Sequence, residues 1–509
     1  MARYKEYSYE QGKLIPIHFE DQILPGTFEY TINYLIDNEL DLSVFEDRYR
    51  NEETGAPAYD PAILLKIVLF AYSRGITSSR KIARCCQENV LFMALSADTR
   101  PHFTTIANFI SAMGDVAICL FQDVLLVCDE LGLIGGEMFA IDGCKLPSNA
   151  SKEWSGTRKD FRKKQKKMER AIRQMVRRHR ERDSVERDTE LAEQEEKQIE
   201  KIRSKVKKIK GWLSENEDKM GKGGKALKSN ITDNDSAKMK TSHGVIQGYD
   251  GVAAVDSKHQ IVVYAEAFGE AQEHGLLEPM IEGTRETFEA MGEEDVFGEA
   301  KLSADSGFHT EANMRMLYEE GIDGYVADHL FRKRDPRFET AERYKKARRQ
   351  LKERKFLPED FVYDPVKMTC TCPAGKKLYL KNQNFEVNGY KAISFMGAKR
   401  DCGPCSLREQ CLKRADQKSP RQVHFFEGRS PEAPETFTQK MKRKIDTWEG
   451  RLHYSRRLGI AEPVFGNICS TLGLNRFTLR GKRKVNTQWL LYTIVHNIGK
   501  IRQYGAVTV

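Results

Sequence analysis

The stretch GVIQGYDGVAAVDSKHQIVVYAEAFG, residues 244–269, decides how this chain folds. Two runs rich in β-branched and aromatic residues flank the polar Asp256-Ser257-Lys258, and together they read as a β-hairpin. Upstream, EMFAIDG (137–143) is a short apolar strand ending at Asp142. Downstream come the helical LLEPMIEGTRETFEAMG (276–292), the strand KLSADSG (301–307) ending at Asp305, the helix TEANMRMLYEEG (310–321) and the strand IDGYVAD (322–328). Strand, hairpin, helix, strand, helix, strand is a mixed α/β order.

Outward from this block the pattern changes. Between residues 25 and 130 apolar residues recur at three and four spacing, as in DPAILLKIVLFAYSRG (60–75), HFTTIANFISAM (102–113) and AICLFQDVLLVCDEL (117–131), which predicts an all-helical region. Asp60-Pro61 starts one helix and Gly75 stops it. ITSSRKIARCCQEN (76–89) reads as a helix capped by Thr77 or Ser78, and Thr104 and Thr105 are expected just before another. Ser79, Arg80, Thr104 and Thr105 are thereby candidates for contacts to DNA phosphates at helix N-termini. The competing reading is an ordinary helical domain whose caps only satisfy backbone groups.

Net charge is +9, and it is concentrated. Residues 152–230 hold 26 Lys and Arg against 15 Asp and Glu, leaving the remainder of the chain near neutral. FRKKQKKMERAIRQMVRRHRER (161–182) has no proline and places Met168, Ile172 and Val176 four apart, so one or two long, poorly buried helices are expected. An acidic block follows, then KIRSKVKKIKGW (201–212), and opposite charge blocks suggest a helical hairpin. Arg162 and Arg177 stand in the basic part and are candidate DNA contacts, although a charge run is more often only a solvated face.

Residues 336–430 begin with the charged RFETAERYKKARRQLKERK, expected to be helical, and continue into a cysteine-rich, loop-rich insertion. ETFTQKMKRKIDTWEGRLHYSRR (435–457) predicts one long basic helix leading to Glu462, and TQWLLYTIVHNIGKI (487–501) an apolar helix packed on the sheet. No apolar run approaches the roughly 20 residues of a bilayer span. The N-terminus lacks a signal-peptide core, so a cytoplasmic protein without a membrane partner is expected.

Metal-assisted phosphodiester chemistry requires hard oxygen ligands, and two Mg²⁺ ions need only a few carboxylates beside water and phosphate. Asp142 is the candidate bridge between two ions, with Asp305 and Glu462 completing one site each. Gly143 and Ser306-Gly307 leave room for a phosphate backbone. For any single acid a cap or turn role is the more common explanation; the three contexts together make the case. Glu462 precedes Pro463, which places it at a helix start or a kink.

Among the eleven cysteines, Cys372 with Cys402, Cys405 and Cys411 forms a distant thiol plus a C-x2-C-x5-C array, with Cys370 spare. Four thiolates suit structural Zn²⁺, which we favour, or an iron–sulfur cluster. Cys85, Cys86, Cys119 and Cys128 read as core thiols. His243, His274, His309 and His453 show no metal spacing. No phosphate-binding loop, dinucleotide fingerprint or G-x-S-x-G elbow occurs.

Taken together, these segments resemble bacterial insertion-sequence transposases of the DDE type with an InsH-like N-terminal domain. The resemblance runs through YDPAILLKIVLFAYSRGITSSRKIARCCQENVLFMAL and HFTTIANF, then IDGCKLPSNAS, TDNDSAKM, GYDGVAAVD and ADSGF, then YSRRLGIAEPVFGNI and NRFTLRG. It implies a ribonuclease H-like core, consistent with the element order, in which Asp142, Asp305 and Glu462 are the catalytic metal ligands for Mg²⁺, with Mn²⁺ substituting. It also implies that Tyr454 and Arg457 contact transposon-end DNA. Cys469 departs from the Lys or Arg usual about two turns after the glutamate, and Asp250 and Val252 replace the usual asparagine and glutamine.

The expected organisation is a helical DNA-binding-type domain over 1–134, the first part of the catalytic core over 135–335 with the charged insertion 152–230, the cysteine-rich insertion 336–430, and the end of the core over 431–509. The expected activity is strand cleavage at transposon ends and transfer into target DNA, by a homodimer or higher oligomer on double-stranded DNA at the nucleoid. A catalytically silent DNA-binding repressor or domesticated relative, and a plain metal-dependent nuclease, are the alternatives.

Overall fold

The computed structural model describes residues 10, 16–48, 57–183, 189–221, 224–242, 244–338, 355–387, 390–412, 417–429 and 435–505. Most of the predicted charged helix after Arg337, and His243, lie outside the described residues. The chain divides into two compact units, one of residues 1–329 and 441–509, the other of residues 330–440.

The larger unit begins with six helices, α1 (Phe28–Asn38), α2 (Pro61–Ser73), α3 (Ser79–Glu88), α4 (Val90–Leu95), α5 (Phe103–Ala112) and α6 (Val116–Glu130). Asp60 caps α2 by accepting the Ala62 N–H, with Pro61 in the first turn, and Gly75 leaves the helix at φ +70°. Helix α2 is apolar nearly all round and is correspondingly buried, its one lysine, Lys66, paired with Asp37 at 2.6 Å. No single helix among the described residues is long and apolar enough to cross a membrane.

Then comes β1 (Met138–Pro147), the two-residue strands β2 (Ser155–Gly156) and β3 (Ser229–Asn230), and between them α7 (Arg158–Asp183) and α8 (Thr189–Glu215), which pack as the expected hairpin. The base of that hairpin is anchored by Phe161, Ile209, Trp212 and Ile231.

The sheet follows with β4 (Ala237–Thr241), β5 (Gly244–Asp256), β6 (Val262–Phe268), α9 (Leu277–Ala290), β7 (Lys301–Ala304), α10 (Glu311–Glu319) and β8 (Asp323–Val326). Strand β1 is central, antiparallel to β5 from Phe139↔Asp256 to Pro147↔Gly248 and parallel to β7 from Met138↔Lys301 to Ile141↔Ala304. β8 continues parallel beyond β7, while β6 and β4 share the far edge of β5. The order β6-β5-β1-β7-β8, three antiparallel strands followed by two parallel ones, is the ribonuclease H-like sheet. β1 does not end at Asp142, as the sequence suggested, but runs on to Pro147, because β5 is long enough to pair with all of it.

Strand alternation sorts the two faces. Phe139 packs edge-on against Phe288 of α9, whereas Asp142 and Cys144 face the opposite side. That side is covered by α14 (Trp448–Gly466) and α15 (Lys482–Tyr504). In α15, Trp489 donates to the Val252 carbonyl at 3.0 Å, and Asn497 bonds both backbone groups of Val262, covering the exposed edge of β6.

The predicted long basic helix is two helices, α13 (Phe437–Asp446) and α14, interrupted at Thr447, whose hydroxyl caps α14 by accepting the Gly450 N–H at 2.9 Å. Pro463 lies inside α14 rather than at its start. The carbonyl of Gly459, which Pro463 has no N–H to satisfy, accepts a hydrogen bond from the Gln260 side chain at 3.0 Å instead. A π-helical turn at Asn467–Thr471 then ends the helix.

The smaller unit is an antiparallel sheet in the order β13-β12-β11-β10-β9, built from β9 (Val362–Asp364), β10 (Thr369–Thr371), β11 (Lys377–Val387), β12 (Tyr390–Met396) and β13 (Gln422–Arg429), with the short helices α11 (Lys399–Cys402) and α12 (Arg408–Cys411). It is thus a sheet around Phe361, Leu378, Ile393, Phe395 and Val423, not the loop-rich insertion its composition suggested.

Candidate active site

Asp142 and Asp305 stand side by side. The β1–β7 register pairs Ile141 with Ala304, so the next residue on each strand is an aspartate. Asp142 accepts the Gly143 N–H at 2.8 Å, and Asp305 caps a short 3₁₀ turn by accepting the Gly307 N–H. Arg457 of α14 binds both: one guanidinium nitrogen bonds Asp142, and the other lies 3.2 Å from Asp305. Burial pushes Asp142 up to about 6, against the opposing pull of Arg457, with Asp305 and Glu273 adding to the rise.

A second charged group lies behind the pair. Lys145 Nζ is 2.5 Å from Glu273 and 3.9 Å from Asp250, which is fully buried and held well above the carboxylate range by burial and by Glu273. Glu273 presses on the turn that carries Asp305: a Cβ on Gly307 would fall 1.9 Å from Glu273 Oε2. His274 bonds the Gly307 carbonyl at 2.8 Å, and Asn313 bonds the carbonyls of His274 and Phe308, so the two turns are locked together. Glu273 and Lys145 escaped sequence reasoning because a lone E-H-G before a helix carries no spacing signal. Gly307 was legible only as a small neighbour, not as the seat of a carboxylate.

The structure does not gather Glu462 with the two aspartates. Helix α14 turns Tyr454, Arg457, Ala461 and Val464 inward, and Glu462 is exposed. Five residues beyond Arg457, it sits about 140° further round the helix. Tyr454 and Arg457, expected at DNA, are buried, with Arg457 over the Tyr454 ring at 5.7 Å. Cys469, in the position of the usual basic residue, has its sulfur 4.0 Å from Cys144. Among the described residues no group of three or more His, Cys, Asp or Glu is arranged as a metal site. The aspartate pair supplies hard oxygen donors for a divalent ion, but Arg457 occupies the place between them.

Away from the centre, Ser79 and Arg80 open α3, and Arg80 stacks over Phe103 at 4.7 Å, bringing together the N-termini of α3 and α5. Thr104 and Thr105 lie inside the first turn of α5, not before it, since His102 is the capping residue. Thr104 is exposed and Thr105 half-buried. Arg162 and Arg177 are exposed along α7. His309 bonds the Val326 carbonyl and His453 lies 3.6 Å from Glu449. Cys372, Cys402, Cys405 and Cys411 line a single cavity in the smaller unit.

Comparison with known families finds two matches. Residues 371–502, which include Arg457 and Glu462, match a transposase DDE domain, and residues 17–112, which include α1 to α5, match a transposase domain. No curated protein matches the chain. With a transposase domain matched towards each end and a ribonuclease H-like sheet between them, the family matches support an insertion-sequence transposase of the DDE type.

Proposed function

We propose that this transposase cleaves one strand at the element's end to free a 3′-hydroxyl and then transfers that strand into target DNA. The observation that carries the proposal is the pair Asp142 and Asp305, side by side at the ends of the paired β1–β7 register and bound by Arg457 of α14, the helix that also carries Glu462. A bound Mg²⁺ pair would activate the attacking oxygen and stabilise the leaving one. Asp142 and Asp305 would hold the metal, and Arg457 would give up its place between them, becoming available to a DNA phosphate as the resemblance implies. Glu462 completes the set only if α14 turns or shifts, and the π-helical turn at its end is the element able to absorb such a change. Lys145 and Glu273 would fix the turn carrying Asp305 and thereby the spacing of the two aspartates.

The test is strand transfer by the full chain from end-sequence DNA into a plasmid, in Mg²⁺ or Mn²⁺, with Asp142→Ala, Asp305→Ala and Glu462→Ala. Products from the wild type that vanish in all three variants support the proposal. Joining that survives Glu462→Ala removes that residue from the set, with Glu449 and Asp446 next on the same stretch. A specific observation favours a second reading: Arg457 neutralises both aspartates and Glu462 points away, as in a relative that only binds DNA. End-specific binding without any cleavage in either metal would favour it.

A further inference from the structure

The four cysteines of the smaller unit come from separate places in the chain: Cys372 in the turn after β10, Cys402 at the end of α11, Cys405 between the short helices and Cys411 at the end of α12. All are half-buried free thiols around one cavity of about 40 Å³. The local chain is built to present sulfur. Gly375, at φ +75°, closes the turn by donating to the Cys372 carbonyl at 2.8 Å, which aims the Lys376 N–H at Cys372 Sγ, 3.4 Å away. Cys402 Sγ rests where a Cβ on Gly397 would be, 2.6 Å from that atom, so only glycine leaves the sulfur its place at the end of β12.

Positive charge surrounds the group. Arg408 donates to the Cys402 carbonyl at 2.6 Å, and Arg421 to the Cys411 carbonyl at 3.2 Å. Two guanidiniums offset the net negative charge that four thiolates leave on a divalent ion. Cys370 does something else: it is fully buried among Phe361, Leu378, Ile393, Phe395 and Val423 and is a core residue. The thiols do not yet meet on a common point, so ligation requires them to turn inward about their Cα–Cβ bonds.

We propose that Cys372, Cys402, Cys405 and Cys411 bind one structural Zn²⁺ that ties α11 and α12 to the turn after β10. Four thiolates with no open position make a closed, structural site. The cavity has room for a single ion. Each thiol that ligates releases its proton to solvent, so the metal binds more tightly as pH rises.

Metal analysis and a visible spectrum of the full chain test this directly. The expected result is about one zinc per chain, no visible absorption, and zinc released on titration with a mercurial. Cys372→Ser and Cys405→Ser should each lose the zinc, whereas Cys119→Ser should keep it. Because a serine variant could fail to fold, the wild type is also loaded with Co²⁺, where intense bands of a tetrahedral thiolate site are expected. Iron with a broad visible band, or a chain that takes up neither Zn²⁺ nor Co²⁺ and keeps all four thiols reactive, would overturn the proposal.

Discussion

Arg457 sets the state of the aspartate pair, because its guanidinium satisfies the two carboxylates that the proposed divalent ion would claim. Removing one partner of a buried ion pair leaves an uncompensated charge, which typically costs 3–5 kcal/mol; the partial exposure of Asp305 lowers this to about 2 kcal/mol. Arg457→Ala should therefore unfold at lower urea, and because the competitor for the aspartates is gone, Mn²⁺ should restore more stability to the variant than it adds to the wild type. Equal metal responses in the two proteins would show that Arg457 does not compete for the site. Asp142 and Asp305 were legible in the sequence because small residues follow an apolar run in each. The salt bridge that holds them was not, since nothing in YSRRLGIAEP says which of two adjacent arginines faces the sheet; only the helical phase set by Tyr454, Ala461 and Val464 decides it.

At the level of elements, periodicity located most helices and strands of the ribonuclease H-like core, and each failure has a local cause. Thr447 is a weak signal inside a run of good helix formers, so α13 and α14 read as one helix. Pro463 reads as a boundary, but a side chain from the β5–β6 turn, Gln260, satisfies the carbonyl it orphans and the helix continues. The same turn receives α15: the Gln260 carbonyl accepts the His496 Nε2–H at 2.9 Å, and His496 Nδ1 accepts from Asn467 in the π-helical turn at 2.9 Å. His496 thus joins three elements as a neutral imidazole, and burial pulls it down to about 4 from the ordinary 6.5. An unfolded chain takes up this proton near pH 6.5, whereas the folded one resists until about 4. Stability from this residue is therefore intact above pH 6.5 and falls as pH drops towards 4, by ~3 kcal/mol in all. Urea midpoints of the wild type should decline across that window more steeply than those of His496→Gln, which has no proton to gain; parallel curves would mean that the imidazole is not held neutral.

Across the whole molecule the charge is unevenly spread. Outside residues 152–230 the chain is close to neutral, while α7 presents exposed lysines and arginines beside a small core of Phe161, Ile209, Trp212 and Ile231. Sequence composition made this segment stand out, because its lysines and arginines far outnumber the few apolar residues, Met168, Ile172 and Val176, that could bury a face. The sheet of the smaller unit was hidden for the opposite reason: its core is small and its longest strand, Lys377–Val387, is largely exposed, so turn residues and cysteines dominated the pattern. If α7 tracks a DNA backbone, each contacting cation displaces counterions, and log K falls with log salt by about 0.9 per phosphate neutralised. Replacing Arg162, Arg173 and Arg177 with glutamine should then weaken binding to any duplex and flatten the salt slope by about 2 to 3, without changing which end sequence is preferred. The folded core should be unaffected, since Arg162, Arg173 and Arg177 are exposed along the helix. An unchanged slope, with end-specific binding intact, would make α7 a solvated arm and leave the N-termini of α3 and α5, with Arg80 and Thr104 exposed, as the surface to test for phosphate contacts.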